Sequence, residues 1–412
     1  MSPTAPEFAA PAPPPSLGAL AGLTFLSVLP VTMLVPVLKV LVQDAYDLDT
    51  AQTSDFMAVN MIGAVLAAPL AGLVARRSSR PHVVVSLAFV ADALLLLVLD
   101  RLRGEISYSS YLGVRFFEGA AHILSLSLLL GIAAGRPGDR GRTMGAMGAA
   151  LTLGVAMGAP LGGVIGGRNP EIVLDIGAAV AVVAGAIAFV ALGRARAEPS
   201  RRGAGGMLAA AREDRDLVIP YLFAFVDRFT VGFFVSAFPL YLANVELRSP
   251  GEMGRALAAF LLPFALLCYP AGRAAARISM TRFMGGGSLV YGLAVCLVGF
   301  SSGWRIEALM LVLGLASSVM FVPTLMLAGG LARRVDRTTA MGGFNAAGSA
   351  GFLCGPLVAG RVVRAFGEGP TDPQGYAAAF VVAGVAEILC VAAALPFLGR
   401  LERRGREGAD AA

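Results

Sequence analysis

From its seventeenth residue onward the chain alternates between apolar runs of about 20 residues, the length that crosses a lipid bilayer as a helix, and short polar breaks. Six runs fall near 17–42, 53–75, 82–100, 109–134, 143–167 and 172–193. Six more fall near 218–244, 253–276, 284–302, 306–332, 339–365 and 375–399. In lipid, runs this long satisfy their backbone groups internally only as helices. The pattern predicts an all-α membrane protein with twelve transmembrane helices in two six-helix bundles. The expected divisions are a disordered tail over 1–16, a first bundle over 17–193, a polar linker over 194–217, a second bundle over 218–399 and a tail over 400–412. Residues 2–15 are rich in Pro and Ala and hold no Lys or Arg, which suits neither a helix nor a secretory leader.

One unit occurs twice, 197 residues apart. Asp139 corresponds to Asp336, Arg140 to Arg337, Met144 to Met341 and Gly145 to Gly342; later, Gly154 corresponds to Gly351, Gly158 to Gly355 and Gly163 to Gly360. Each copy is a charged turn followed by an apolar helix with small residues four apart. That spacing lines the glycines on one face, where another helix backbone can approach closely. Two such copies imply a chain built as two similar halves, the organisation of many transporters.

Composition agrees with a bilayer solvent: 57% of residues are hydrophobic and 15% charged, with a mean hydropathy of +0.74. The net charge of +6 does not point to nucleic acid, because the basic residues sit in short clusters between apolar runs rather than on one aromatic-studded face. Their distribution instead sets an orientation. Of the loop and helix-end basic residues, 22 fall on one side and 9 on the other, which predicts a cytoplasmic linker and two cytoplasmic termini. The four cysteines lie inside apolar runs of the second half, and the two histidines are isolated. No metal spacing, disulfide framework or nucleotide-binding loop is present, so neither metal nor cofactor is expected, and no enzyme activity.

Three motifs resemble the major facilitator superfamily. The stretch from Gly72 through Arg76 and Arg77 to Arg80 is similar to that family's loop after its second helix, although Arg76 stands where the family has Asp. Gly272 and Arg277 echo the loop in the second half, with Ala276 at the Asp position. Arg115-Phe116-Phe117-Glu118-Gly119 resembles the family's Arg-x-x-Gln-Gly. The run Gly154, Gly158, Pro160, Gly162, Gly163, with Gly351, Gly355 and Pro356 in the second copy, resembles the Gly-rich motif of the drug/proton antiporter branches. The resemblance implies a secondary transporter in the inner membrane, with the fourth and seventh helices beside a central cavity. It makes Gly72, Arg76, Arg77, Arg80, Arg140 and Arg337 expected parts of cytoplasmic gate loops. For Arg140 and Arg337 the orientation bias alone is an equally good account.

Candidate chemistry lies in charges within the apolar runs, which are costly unless they meet a partner or a wet cavity. Arg115, Glu118 and His122 share one helix face. Glu118 is either a carboxylate that gains and loses a proton or half of a static ion pair; His122 is expected to pack. Asp227 and Arg228 are adjacent, hence about 100° apart, and at least one needs a partner on another helix. Asp92 and Glu387 are expected to pair structurally, Asp55 to cap the second helix, and Asn60 and Asn345 to bond across helices. Phe116, Phe117, Phe229, Phe233 and Phe234 are candidates for an apolar pocket. The reading that follows is proton-coupled efflux of a small apolar or amphipathic compound by a monomer working through alternating access. Symport uptake of a nutrient and a non-transporting scaffold are the alternatives.

Overall fold

The computed structural model describes residues 15–78, 80–136, 140–193, 211–331 and 337–410. Among these residues twelve long helices follow one another: α1 Leu17–Met33, α2 Thr50–Arg77, α3 Pro81–Arg101, α4 Tyr108–Ala134, α5 Arg140–Gly166, α6 Ile172–Ala191, α7 Val218–Val235, α8 Pro250–Arg277, α9 Met280–Val298, α10 Trp304–Gly330, α11 Arg337–Phe366 and α12 Pro373–Asp410. Eleven of the corresponding segments are long and apolar enough to span a membrane. The twelfth, α2, has 28 residues and so reaches about 42 Å at 1.5 Å per residue. Its first three turns are rich in polar residues, with Thr50, Gln52, Thr53, Ser54, Asp55 and Asn60.

The two halves are built alike. In the first, α1 pairs with α5, α2 with α4, and α3 with α6; in the second, α7 pairs with α11, α8 with α10, and α9 with α12. The repeated glycines explain the first pairing in each set. A side chain at Gly154 or Gly158 would run into Phe25, Val28, Leu29 and Thr32 of α1, and one at Gly162 into the Met33 backbone. In the second copy, Gly351 and Gly355 lie in the same way on Phe225, Phe229 and Gly232 of α7, with Pro356 also against Gly232. Pro160 and Pro356 both sit inside their helices.

Prolines and polar tails shift several helix boundaries from those expected. The first span is not one helix to residue 42: beyond Pro30 and at Pro36 the chain tightens into a 3-10 turn at Val35–Val37 and then a π turn at Lys39–Gln43. The seventh span breaks at Ser236 and resumes as Ala237–Asn244, where Pro239 removes a backbone donor. At the other extreme, α12 does not stop near residue 399 but runs on to Asp410. Glu402 on that extension accepts hydrogen bonds from Ser279 Oγ (3.0 Å), Thr281 N (2.8 Å) and Thr281 Oγ1 (2.7 Å), tying it to the start of α9. Asp55 does not cap α2. Asp49 does, taking the Gln52 N–H at 2.7 Å while Gln52 returns a bond to the Asp49 N–H.

Candidate functional site

The halves meet at the end that carries the α1–α2, α5–α6, α7–α8 and α11–α12 connections. There the last glycine of each repeat crosses to the other half. Gly163 of α5 abuts Pro250 and Gly254 of α8, and Gly360 of α11 abuts Ala51 and Ser54 of α2. Polar contacts close the same seam. Arg361 pairs with Asp55 at 2.8 Å and Arg364 with Asp49 at 3.5 Å. Asn244 Nδ2 donates to Gln43 Oε1 (2.8 Å) and to the Tyr376 hydroxyl (3.2 Å), which also meets Thr50 Oγ1 at 3.0 Å.

Toward the opposite end these same faces run into open space. One helical repeat after another down α11 from Gly360 come Ser349 and Asn345, both exposed; down α5 from Gly163 come Ala149 and Gly145, also exposed. On α2 the line from Asp55 continues to Val65 and Leu66, and on α8 the line from Gly254 continues to Tyr269; these too are exposed. The halves therefore seal at one end and part at the other, leaving a cleft between them.

Arg228 projects from α7 beside α10 and α11. Its guanidinium carbon stands 5.1 Å from the Phe321 ring centroid, and its side-chain stem passes Gly348, where a methyl group would crowd it. Its side chain is 39% exposed, its Nε lies 3.6 Å from Asp227 Oδ2, and Leu222 and Phe225 continue the same half-open stripe along α7. Phe321 in turn meets Phe264 of α8 and Phe344 of α11, with centroids 5.7 and 6.5 Å away. Of the pocket candidates, Phe229, Phe233 and Phe234 are buried core, packed with Phe238, Phe260 and Phe380. Phe117 is largely exposed. The aromatic surface facing the cleft thus belongs to other phenylalanines, which apolar spacing alone does not single out.

The first-half charges do not line the cleft. Arg115, Glu118 and Asn60 are wholly buried among α2, α3 and α4. Gly119 explains how: any side chain there would collide with the Asn60 backbone, so its absence lets Asn60 reach Glu118. Asn60 Nδ2 donates to Glu118 Oε2 at 2.5 Å and Arg115 donates to the same oxygen at 2.6 Å, while the guanidinium lies over the Phe56 ring at 4.7 Å. Asp92 of α3, also buried, lies close enough to Glu118 for the two carboxyls to share one field, and its Oδ1 has no hydrogen-bond partner. The site therefore includes a carboxylate expected from the sequence to belong to a remote structural pair. Its only sequence signal is an acid in an otherwise apolar run. His122 is buried, with Nδ1 unpartnered.

The second half has its own buried acids. Asp227 faces inward from α7, and Glu387 of α12 is completely buried and close enough to share its field. Ser288 lies nearby, but its hydroxyl turns to Met320 Sδ (3.4 Å), so both Glu387 oxygens lack a hydrogen bond. Thr230 Oγ1 donates to the Tyr291 hydroxyl at 3.3 Å on the same side. A cavity of about 10 Å³ touches Asp227, Ser288 and Thr324, the space one water needs. Asn60 bonds across helices to Glu118, as expected, whereas Asn345 is exposed. Of the gate-loop residues, Arg80 is exposed, and the side chains of Arg76, Arg77, Arg140 and Arg337, with Gly72, lie outside the described residues.

The repeated six-helix halves, the glycine-sealed seam and the cleft between them coincide with a sequence match. The family model described as Major Facilitator Superfamily matches twice, over residues 20–225 and 220–411. The chain belongs to the Major Facilitator Superfamily. It is a multi-pass membrane transporter and not an enzyme. Solved superfamily members share the fold. The nucleoside transporter NupG superposes with a TM-score of 0.73 at 14% identity, covering 92% of this chain and 98% of its own. A bacterial homologue of the human lysosomal transporter Spinster, inward-facing and unoccupied, gives 0.73 at 16% over 95% and 97%. The human organic anion transporter MFSD10 gives 0.61 at 18% over 91% and 97%. No curated protein sequence matches the chain.

Proposed function

We propose that this superfamily member is a secondary transporter that exchanges protons for a small amphipathic compound by alternating access, exporting it from the cytoplasm. The observation that carries the reading is the pairing of Asp92 with Glu118 beside a single guanidinium. Arg115 balances one carboxylate; charge balance in a site this dry then calls for a proton on the second carboxyl. A group of that kind has two protonation states and sits against Asn60 of α2, the helix that carries Asp55 of the seam. Loading or releasing the proton changes the field under that seam, which couples it to opening of the sealed end. Asp227 and Glu387 supply a second acid pair below the cleft surface. The basic-residue bias supports an open end at the cytoplasm, and on this reading the cleft is inward-open, ready to receive a cytoplasmic compound.

The test uses the full chain in liposomes with a trapped pH-sensitive dye and an imposed proton gradient. Substrate addition is expected to accelerate proton movement, and Glu118→Gln and Asp92→Asn are each expected to abolish that acceleration while substrate binding persists. Unchanged coupled flux in both variants rules this proton site out, and accumulation of substrate on the side to which protons flow replaces export with uptake.

A further inference from the structure

We infer that Arg228 is the docking point for the acidic head of the transported compound, which makes the substrate class a small aromatic organic anion; this rests on the transport reading above and adds the chemistry of the cargo. Arg228 is one-third of the way along a span that runs through Asn244, at a depth where a guanidinium facing lipid is costly. Its 39% exposure is accordingly exposure to the cleft. Its Nε faces Asp227 in an ion pair at 3.6 Å; its two terminal nitrogens make no hydrogen bond among the described residues. A permanent cation that faces the cleft with its terminal N–H fork unused is complementary to a carboxylate or sulfonate, which it grips through two parallel bonds.

The surroundings state what is attached to that anion. Phe321 lies under the guanidinium, Phe264 continues the apolar wall on α8, and buried Phe344 of α11 backs Phe321 from behind. Phe225 stands one turn away on α7, its ring parallel to that of Phe229 (11° between planes, centroids 6.2 Å apart). A planar aromatic body fits against such rings by offset or edge contacts. Asn345 and Ser349 on the exposed α11 face offer hydrogen bonds to a polar substituent. A cationic compound meets the opposite arrangement: the nearby acid, Asp227, is 15% exposed and turned inward behind Arg228.

The experiment measures equilibrium binding of radiolabelled naphthoate to the purified full-length chain in detergent at fixed pH, against its uncharged analogue naphthamide and the cation naphthylmethylammonium. Naphthoate is expected to bind saturably and about ten-fold or more tighter than naphthamide, the loss expected when a charge-assisted bond goes unmade; the cation is expected not to compete. Arg228→Gln should bring naphthoate down to the level of naphthamide, and Arg228→Lys should recover part of the difference. Phe321→Ala should weaken both ligands alike, which separates the apolar wall from the charge. Equal affinity for the acid and the amide, undiminished naphthoate binding in Arg228→Gln, or no saturable naphthoate binding at all would each overturn the assignment. Because no gradient is present, failure here is separate from failure of proton coupling. Naphthoate binding through Arg228 without proton movement keeps the anion site and removes the exchange mechanism.

Discussion

Arg115 touches no water, and within its cluster it is the only cation facing two carboxyls among the described residues. Removing one partner of such a buried set leaves the rest uncompensated, which costs about 3–5 kcal/mol. Arg115→Gln is therefore expected to lower stability by that amount in denaturant titrations, and Arg115→Gln with Glu118→Gln to recover a large part of it. An additive double variant would show that the two side chains do not act as a pair. At this scale the sequence is informative where partners share a helix: three-residue spacing suffices to put Arg115 beside Glu118. It is silent on Asp92, because a carboxylate on α3 meets one on α4 only through the tilt of two helices that spacing within either does not encode. The same limit explains why Phe229, Phe233 and Phe234 resemble pocket residues in the sequence. A helix pattern marks apolar faces but not which face meets a cleft.

Helices carry the next layer, and their glycines divide into two kinds. Gly154, Gly158 and Gly162 hold α5 on α1 within one half, whereas Gly163 presses on α8 of the other. A valine at the two positions is expected to have different effects. Gly162→Val should destabilise the first bundle, because its side chain runs into the Met33 backbone. Gly163→Val should leave each bundle folded yet wedge the seam apart, since the added side chain falls between the two bundles rather than inside one. Spin labels at Glu105 and Ser302 in the sealed-end loops should then move apart in Gly163→Val, with a melting temperature close to the parent; a closed seam in that variant would show that Gly163 does not hold it. The repeat itself announces close packing, and its offset locates both copies. It does not reveal which glycine crosses between halves, since adjacent residues 162 and 163 differ only by a 100° turn around the helix. Boundaries are legible except where Pro36 and Pro239 break spans and where Glu402 finds Thr281, a contact made by tertiary structure alone.

Across the whole molecule the sealed end adds two ion pairs to its glycine contacts, Asp55–Arg361 and Asp49–Arg364. They are partly exposed, so each contributes about 0.2–1 kcal/mol and weakens as salt rises. Arg361→Asp is expected to shift the labelled loops toward separation several-fold at low ionic strength, with the difference shrinking at high salt. Adding Asp55→Arg should restore closure; no restoration would mean that the pair does not contribute across the seam. The two-bundle architecture is readable from hydropathy and the 197-residue repeat, since lipid admits few alternatives for such segments. The opening of the cleft is not, because hydropathy and the repeat say which helices form and not how the two bundles pack on each other. The reciprocity of the seam has a consequence for ancestry. The end of α5 rests on the second half and the equivalent end of α11 rests on the first, which is the mutual embrace found at the twofold interface of a symmetric dimer. If the halves descend from one six-helix unit bearing a single copy of this glycine motif, that unit already held both faces of the contact, and joining two copies into one chain required no new surface.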